Sequence, residues 1–399
     1  LRKLFKSFFV VTCLALVWML AFGVDKASSA SKAAPKAAAK VEKQAPRSVD
    51  LNPVLAEPVS LRLGYEDRAT WPGVAASPDP EHAFALIFKQ FVEERTNGTV
   101  KIQLFAQSQI GGAKQMIEMV QAGTLDLCIG TGVMGGFYPK FEVIYLPYAF
   151  QSEEIAWWVF DNSKFWKNLM VDMEKTVGIT YLGMGQNGVR HFTNSKREIR
   201  QPSDLKGLKL RVMQSPIYVK MVEALGGNAV PIAWAELYTA LQTGVVDGQE
   251  NPISIIELCK IHEVQKYLTL DGHTWSEDML VINTAKFNSF PEGVKQVLKM
   301  GGLHGARADR VAEALKTRVT DLPKVAAKLK IYKPTPAELK MFQDMAKPAV
   351  VAYLKGKIGA ETVDAFFKAV EEAEMETLAG AVMVNDSVLV QLALETVTV

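Results

Sequence analysis

Cysteine and histidine are scarce in this sequence, and neither residue is spaced as metal or redox sites require. The 399 residues include three cysteines without a CxxC pair and five histidines without an HExxH motif. We therefore expect no metal site and no cofactor. Cys128 and Cys259 lie far apart along the chain. They could pair in an oxidising compartment or remain two buried thiols.

Features of nucleic-acid binding and of common hydrolases are also missing. The net charge is only +2 and the basic residues form no stripe, so nucleic acid is not an expected partner. A GxSxG motif is absent, as are the usual local signatures of cysteine nucleophiles. A Ser-His-Asp set could still be assembled by the fold, because such sets are recognised by geometry. A secreted α/β enzyme therefore stays open as an alternative to a binding protein.

One glycine motif matches a nucleotide-binding signature. GTGVMG at residues 130–135 has the pattern GxGxxG and follows a predicted strand. The signature requires a helix that begins at once, so that its N-terminus meets the pyrophosphate. The next residues, GFYPKFEVIYLPYAF, contain Pro139 together with β-branched and aromatic residues, which argues against that helix. We interpret the motif as backbone brought close to a ligand, not as a dinucleotide site.

The N-terminal residues have the pattern of an export signal. Arg2, Lys3 and Lys6 precede an apolar run over residues 8–24, and the small residues ASSA follow. This order predicts a signal peptide over residues 1–30 that is cleaved on export. The competing interpretation is an uncleaved anchor, because the run is at the short limit for spanning a bilayer. The Ala/Lys/Pro-rich stretch that follows predicts a low-complexity linker over residues 31–58.

From residue 59 the sequence alternates strand-like and helix-like segments. The strand-like SLRLGYE, VKIQLFA and TLDLCIG are separated by the helical segments PEHAFALIFKQFVEERTNG and GAKQMIEMVQAG. This alternation predicts an α/β fold with mainly parallel sheets flanked by helices. A long helix is predicted from about Pro291 past Arg318. Gly301, Gly302 and Gly305 are expected to bend or loosen it.

Two similar segments suggest that the chain forms two lobes. QAGTLDL at 121–127 and QTGVVDG at 242–248 share the pattern Gln-x-Gly-x-x-Asp, in which glycine ends a helix before a strand. The repeat could arise by chance, because helix-Gly-strand is common. Its copies nevertheless lie in separate halves. Two α/β lobes would form a cleft, and open α/β sheets bind ligands beyond the carboxyl ends of their strands.

Arg211 lies in a predicted strand whose outlet is where α/β folds bind ligands. In GLKLRVMQSP, residues 207–216, the apolar residues alternate onto one face and Arg211 takes the other. The ordinary role of such an arginine is a solvated surface charge, and the alternative is a cation held for a ligand. Further along, the polar string GQEN precedes Pro252. Asn251 is therefore either a helix N-cap or an amide aimed at the ligand.

Four segments together resemble a known family: LKLRVMQSP, VPIAWAELYTALQTGVVDGQENP, VRHFTN and LPYAF. They are similar to the DctP-type extracytoplasmic solute-binding proteins of tripartite ATP-independent periplasmic (TRAP) transporters, and the similarity covers about residues 61–370. The resemblance implies a non-enzymatic periplasmic receptor with two α/β lobes and a long helix spanning both. The lobes would close around an organic acid and present it to the TRAP membrane subunits. A monomer is expected.

The resemblance also implies how the chain divides. Lobe I is expected over residues 59–186 and 276–315, and lobe II over residues 187–275 and 316–385. Residues 386–399 are expected to form a C-terminal tail without a counterpart in the family. Gly112-Ala113 stands where the family often has an acid or an amide, so that side of the cleft is expected to be less polar.

Individual residues receive roles from the resemblance. Arg211 matches the arginine that pairs with the ligand carboxylate, and Arg190 matches a second arginine near the ligand. Asn251 matches the amide that completes the carboxylate site, and Trp234 falls where an aromatic residue packs on the ligand. The other positions that commonly contact the ligand are occupied by Gln214, Thr131 and Glu66.

Aromatic residues and one acid bear on the class of ligand. Trp71 and Trp275 could join Trp234 in an aromatic-rich cleft, or they could pack in the core. Glu66 could meet an ammonium or hydroxyl group of the ligand, or it could form a local pair with Arg68. Together these features favour a flat or aromatic carboxylate, such as an amino-acid or keto-acid derivative. A small dicarboxylate or a sugar acid is the alternative.

Overall fold

The computed structural model describes residues 50–69 and 79–395, with the surroundings of side chains described to residue 378. The expected signal peptide, most of the expected linker and Trp71 lie outside these ranges. In this part of the chain, no helix is both long enough and apolar enough to cross a membrane.

The first sheet has five strands, three of which follow the βαβ pattern predicted from the sequence. Its strands are β1 (Val59–Gly64), β2 (Val100–Phe105), β3 (Leu127–Gly130), β4 (Ile179–Met184) and β10 (Met279–Asn283). Their order is β2-β1-β3-β10-β4, with β1 parallel to β2 and β3 and with β10 antiparallel to β3 and β4. Because parallel neighbours need a crossover connection, two helices join these strands: α1 (Pro80–Arg95) and α2 (Ala113–Ala122). The helices α3 (Glu153–Asn162) and α4 (Lys164–Val177) precede β4.

The second sheet has six strands and mixed directions. Its strands are β5 (Gly188–Asn194), β6 (Lys209–Val212), β7 (Asn228–Pro231), β8 (Gly248–Asn251), β9 (Tyr267–Ser276) and β11 (Lys330–Tyr332). Their order is β11-β9-β5-β8-β6-β7, with β5 antiparallel to β8 and β9 and with β6 parallel to β7 and β8. The short helices that flank them are α5 (Pro216–Ala224), α6 (Leu237–Gln242) and α7 (Ile253–Leu258).

The chain passes between the two sheets through two short neighbouring segments. Residues 185–187 join β4 to β5, and residues 277–278 join β9 to β10. The amide of Gly185 donates to the carbonyl oxygen of Asp278 at 2.8 Å, and the amide of Asn187 donates to that of Ser276 at 3.0 Å. We refer to these two segments as the crossover segments. Two α/β sheets joined in this way confirm the predicted two-lobe fold class, while the boundaries assigned to each lobe remain a prediction.

The C-terminal helices pack against elements from both parts of the fold. The helix α11 (Pro336–Ile358) lies on α5, and α12 (Ala360–Glu395) lies on α3. The helix α11 begins with a capping box, in which Thr335 and Glu338 satisfy each other's backbone N–H groups. The segment expected to be a C-terminal tail is helical as far as Glu395.

The predicted long helix is present, but its glycines serve close packing instead of bending. After α8 (Thr284–Asn288), α9 runs over Glu292–Leu315 along α1 and β4. A π-helical segment, residues 316–321, continues it to contact α7 before α10 (Leu322–Ala326). A Cβ on Gly302 would lie 2.3 Å from the carbonyl oxygen of Leu182, and a Cβ on Gly305 would lie 2.4 Å from the ring of Phe84. The glycines therefore let the helix approach β4 and α1 at backbone distance.

The structure bears on the glycine motif and on the two cysteines that the sequence left unassigned. GTGVMG is followed by a 3₁₀ turn at Met134–Gly136 and a second 3₁₀ segment at Pro139–Tyr145, so no α-helix begins there. The prediction that this segment does not form a dinucleotide site is consistent with that geometry. Cys128 is buried, Cys259 is half-buried, and both are free thiols.

We expect Gly302→Ala to destabilise the protein although alanine favours helices. The added methyl group would press on the backbone of Leu182, and overpacking of this kind lowers the free energy of unfolding by about 1–3 kcal/mol. Gly356→Ala in α11 is the matched control, because nothing lies within 4 Å of the Cβ that it would add. It should raise stability by up to about 1 kcal/mol. Urea unfolding of both variants measures the difference, and equal effects would contradict the packing role.

Candidate ligand-binding cleft

A cavity of about 450 Å³ lies between the two sheets. Residues just beyond the carboxyl ends of β1 and β3 line it from the first sheet, and residues at the ends of β6 and β8 line it from the second. This is where open α/β sheets bind ligands, and the volume suits a small organic molecule. The side from the first sheet carries Glu66, Asp67 and Glu81, which we call the acidic wall.

Arg211 faces this cavity from β6 as a buried cation with a donor to spare. Its side chain is 2% exposed, and its Nε donates to the carbonyl oxygen of Ile232 at 2.9 Å. Among the described residues, its Nη1 has no hydrogen-bond partner. The guanidinium carbon lies 5.9 Å from the ring centre of Trp234. Burial lowers the pKa of Arg211 to about 10, so the group stays charged at neutral pH.

Arg190 also lines the cavity, but its charge is already matched within the protein. Its Nε donates to Oε2 of Glu250 at 2.5 Å, and its Nη2 donates to Oε1 at 3.0 Å. The Nη1 group donates to Asn187 at 3.1 Å and to Ser276 at 3.3 Å. Such a two-bond pairing with a carboxylate fixes the plane of the guanidinium. Arg190 is therefore held in place before any ligand arrives.

The Arg190–Glu250 pair continues into a buried chain of alternating charges. Nε2 of His273 lies 3.2 Å from Glu250, and its Nδ1 lies 2.9 Å from Asp271. Burial opposes ionisation of Glu250, but Arg190 and His273 outweigh it and lower the pKa of Glu250 to about 2. Burial likewise disfavours a charged His273, yet Asp271 and Glu250 raise its pKa to about 9. Cation and anion alternate through four residues, so their buried charges balance.

The acidic wall is built around the first turn of α1. Oε2 of Glu81 accepts the backbone N–H groups of Glu66 at 2.7 Å and of Asp67 at 2.8 Å. In return, the N–H of Glu81 donates to Oδ2 of Asp67 at 3.2 Å. Oε1 of Glu66 accepts the N–H of Ala113, the first residue of α2, at 3.1 Å. Burial raises the pKa of Glu66 to about 7, and burial together with repulsion from neighbouring carboxylates raises the pKa of Glu81 and Asp67 well above their usual range.

The remaining predicted polar residues lie at the same cavity. Asn251 is 3% exposed, and its Nδ2 donates to Oε1 of Gln249 at 2.5 Å. Thr131 follows β3, and its hydroxyl lies 2.5 Å from Oδ1 of Asp278 and 3.3 Å from Oε1 of Glu81. Gln214 is exposed at the outlet of β6 and also lines the cavity.

The expectation that Trp275 lines the cleft needs correction. Trp275 does not line the cavity: it is 4% exposed and stacks on Phe160 with ring centres 4.9 Å apart. Its indole N–H donates to Oε1 of Gln186 at 3.1 Å, and the same oxygen accepts the N–H of Trp157 at 2.5 Å. A satisfied indole in the core needs no ligand. Trp71 lies outside the described residues, so Trp234 is the described tryptophan that lines the cavity.

The side of the cleft at Gly112-Ala113 is more polar than expected. Small residues there leave room for Glu66, whose Oε1 would lie 3.3 Å from a Cβ on Gly112. The local alternative for Glu66 is not formed, because Arg68 lies 3.4 Å from Asp79 instead. The prediction that this side of the cleft is less polar was therefore wrong, because it is formed by the acidic wall.

Sequence reasoning missed three residues that shape the cleft. Glu81 and Asp67 were not singled out, because their carboxylates face each other only after α1 folds back onto the turn after β1. Glu250 was noted within a polar string, but its partner Arg190 lies 60 residues away. The one available signal was the position of Glu81 in the first turn of a helix, where acidic groups approach backbone N–H donors.

The two α/β sheets are joined by the crossover segments, and the buried side chain of Arg211 faces the cleft between them. This arrangement defines a two-lobed solute-binding protein. Residues 73–356 match the sequence model of the family described as bacterial extracellular solute-binding protein, family 7, or DctP. The chain belongs to this family. Its members are periplasmic solute receptors of TRAP transporters.

Relatives bind several kinds of carboxylate: some bind sugar acids, while others are a C4-dicarboxylate-binding protein of Rhodobacter capsulatus and a TRAP solute-binding protein of Shewanella oneidensis with bound succinate. The chain is 36% identical to the 2,3-diketo-L-gulonate-binding periplasmic protein YiaO of Escherichia coli, over 60% of this chain and 70% of that protein. A TRAP solute-binding protein from Polaromonas with bound D-erythronate is 31% identical, with a TM-score of 0.70 over 77% of this chain and 98% of that one. The sugar acid binding protein of Advenella mimigardefordensis, solved with galactonate, is 29% identical, with a TM-score of 0.73 over 79% and 99% of the two chains.

We expect Glu250→Gln to destabilise the protein strongly. The change leaves Arg190 and His273 buried without their carboxylate, and breaking a buried ion pair in this way lowers the free energy of unfolding by about 3–5 kcal/mol. Asp344→Asn is the control, because it removes an exposed pair with Lys340 that contributes at most about 0.5 kcal/mol. Urea unfolding monitored by circular dichroism compares the two variants. A loss no larger than that of the control would refute the role of Glu250.

Proposed function

We propose that this protein captures a hydroxylated monocarboxylate of the sugar-acid class in the cleft and presents it to TRAP membrane subunits. The observation that carries the proposal is the unpaired donor of Arg211, a buried cation at the cavity. Export with residues 1–30 as a signal peptide, and action as a periplasmic receptor without catalytic turnover, belong to the same proposal. So does the division into lobes at the crossover segments.

The carboxylate end of the ligand is assigned to the wall formed by the second sheet. A guanidinium presents N–H donors whose geometry matches the two oxygens of a carboxylate. We place the ligand carboxylate on Arg211, with Asn251 beside it and Trp234 packed against the carbon chain. At about 4 Å and an effective dielectric constant near 20, one ion pair contributes about 4 kcal/mol before desolvation. Micromolar affinity needs about 8 kcal/mol, so the other end of the ligand must contribute as well.

The hydroxyl groups of the ligand are assigned to the acidic wall. The carboxylate oxygens of Glu66 and Glu81 can accept hydrogen bonds from hydroxyl groups, and Thr131 and Gln214 line the same space. A second carboxylate placed there would face carboxyl groups and no paired cation, which disfavours a dicarboxylate. A flat aromatic acid would leave these polar groups unpaired. The sugar-acid alternative is therefore preferred over the aromatic carboxylate that the tryptophans first suggested. The name of the Escherichia coli relative and the ligands bound in the Polaromonas and Advenella structures support this choice.

The unpaired donor of Arg211 also bears on how the cleft opens and closes. Closing the cleft without a ligand would keep a buried charge away from both water and a partner, which is unfavourable by several kcal/mol. The free protein should therefore be mostly open, and the ligand should stabilise the closed form by its greater affinity for it. The crossover segments are where such a rotation would take place.

A thermal-shift screen tests the ligand class directly. We expect galactonate, erythronate and gulonate to raise the melting temperature at millimolar concentration, because a ligand that binds only the folded state stabilises it by mass action. Succinate and benzoate are the comparators for a dicarboxylate and an aromatic acid, and neither should match the sugar acids. Mass spectrometry after incubation should recover the ligand unchanged. A larger shift with either comparator, or conversion of the sugar acid to a product, would refute the proposal.

Arg211→Lys should lower the affinity for the sugar acid by about 10- to 100-fold, because a lysine cannot form two parallel bonds to a carboxylate. The melting temperature without ligand should change little, since Arg211 pairs with no acidic side chain by a direct hydrogen bond among the described contacts. Lys209→Gln is the matched control: Lys209 is on the same strand but is exposed. Calorimetric titration measures the affinities, and unchanged binding by Arg211→Lys would remove this residue from the site.

A further inference from the structure

The acidic wall creates an electrostatic problem for an anionic ligand. Glu66, Asp67 and Glu81 line the cavity, while the charge of Arg190 is already balanced by Glu250. Arg211 is then the buried cation that remains for the ligand carboxylate. Once that pair forms, the charge of Arg211 is neutralised. Only cations at the rim of the cavity would then offset negative charge on the acidic wall. Protons bound to the wall carboxyls are the simplest way to lower this repulsion.

The contacts of Thr131 favour a proton on one of the carboxyl groups at or beside the acidic wall. The hydroxyl of Thr131 lies within bonding distance of Oδ1 of Asp278 and Oε1 of Glu81, yet it has a single proton to donate. Satisfying both contacts requires a second proton on one of the carboxyls. Burial raises the pKa of Asp309, and the charge of Asp278 raises it further, because two neighbouring carboxylates repel each other when both are ionised. The pKa of Asp278 is raised to about 6, mainly by burial.

Glu66 differs from these neighbours because it faces the ligand site. It is half-buried at the cavity, and the charge of Arg211 stabilises its ionised form across the cleft. Its neighbours include the N–H of Ala113 at the start of α2, Glu81 on α1, Asp67 in its own turn and Asp278 in a crossover segment. Exposed Lys114 and Glu118 on α2 line the same cavity, and the thiols of Cys128 and Cys259 also feel the charge of Glu66. With burial opposing its charge, its pKa is about 7. A ligand carboxylate bound to Arg211 would neutralise the cation that stabilises ionised Glu66. The pKa of Glu66 would therefore rise further when the ligand binds.

We propose that the cleft takes up a proton together with its anionic ligand, and that the carboxyl of Glu66 is the group that receives it. This inference rests on the proposed function. The proton comes from solvent, and the protonated Glu66 becomes a donor for a ligand hydroxyl or carbonyl oxygen in addition to an acceptor. The net charge of the occupied cleft is then the same as that of the empty one.

Calorimetric titration with galactonate tests the coupling. The binding enthalpy is measured at about pH 7.5 in phosphate and in Tris, two buffers that differ in their enthalpy of ionisation. We expect the two values to differ by an amount corresponding to between about half and three quarters of a proton taken up per ligand, because a carboxyl with a pKa of about 7 is already partly protonated at this pH. The association constant should fall as the pH rises above about 7, by up to tenfold per pH unit. The carboxyl of galactonate stays ionised throughout this range.

Two variants decide whether Glu66 is the group involved. Glu66→Gln keeps an oxygen for the N–H of Ala113 but cannot titrate, so its binding enthalpy should be the same in both buffers and its affinity should be independent of pH. Glu223→Gln is the control, because Glu223 is exposed on α5 and is not among the residues that line the cavity, and proton uptake should persist. Equal enthalpies for the unmodified protein, or full uptake by Glu66→Gln, would overturn the inference while leaving sugar-acid binding intact. Failure of every sugar acid to bind would instead refute the proposed function and the inference with it.

Discussion

A buried guanidinium with an unpaired donor is the constraint on which the cleft depends. Charged groups are rarely removed from water unless they are paired, because the loss of hydration is larger than most single contacts can offset. Arg211 is placed in this position by β6 and by the carbonyl oxygen of Ile232. The surrounding groups stabilise this charge in part, but they leave one of its N–H donors free for a ligand.

The contrast between the two arginines shows how the protein separates support from binding. Arg190 is tied into a chain of alternating charges with Glu250, His273 and Asp271, so its guanidinium cannot be recruited without breaking a balanced network. Arg211 is left outside that network. The acidic wall faces it from the other sheet, and its carboxyl groups limit how much negative charge the ligand can bring. Selectivity for one carboxylate and several hydroxyls follows from this arrangement.

The local sequence predicted α1, α2 and the long helix, the first three strands of the first sheet, and the residues that belong to one strand outlet. Periodicity and glycine-terminated helices are local properties, so β1, α1, β2, α2 and β3 could be identified in order. The insertion of β10 between β3 and β4, and the mixed second sheet, depend on pairing between distant segments. For the same reason Arg211 and Asn251 could be proposed from sequence, whereas the Glu81–Asp67 contact could not. Trp275 was misassigned because alternation along β9 does not show that a core glutamine satisfies its indole.

Gln186 lies in a crossover segment between the sheets. Its side-chain oxygen accepts hydrogen bonds from the indole N–H groups of both Trp157 and Trp275. Indole emission depends on the polarity and hydrogen bonding around the ring. Any rotation through this crossover would change the surroundings of two chromophores at once. The two indoles would thus report such a rotation, so that solute capture could be followed in solution without attaching a dye.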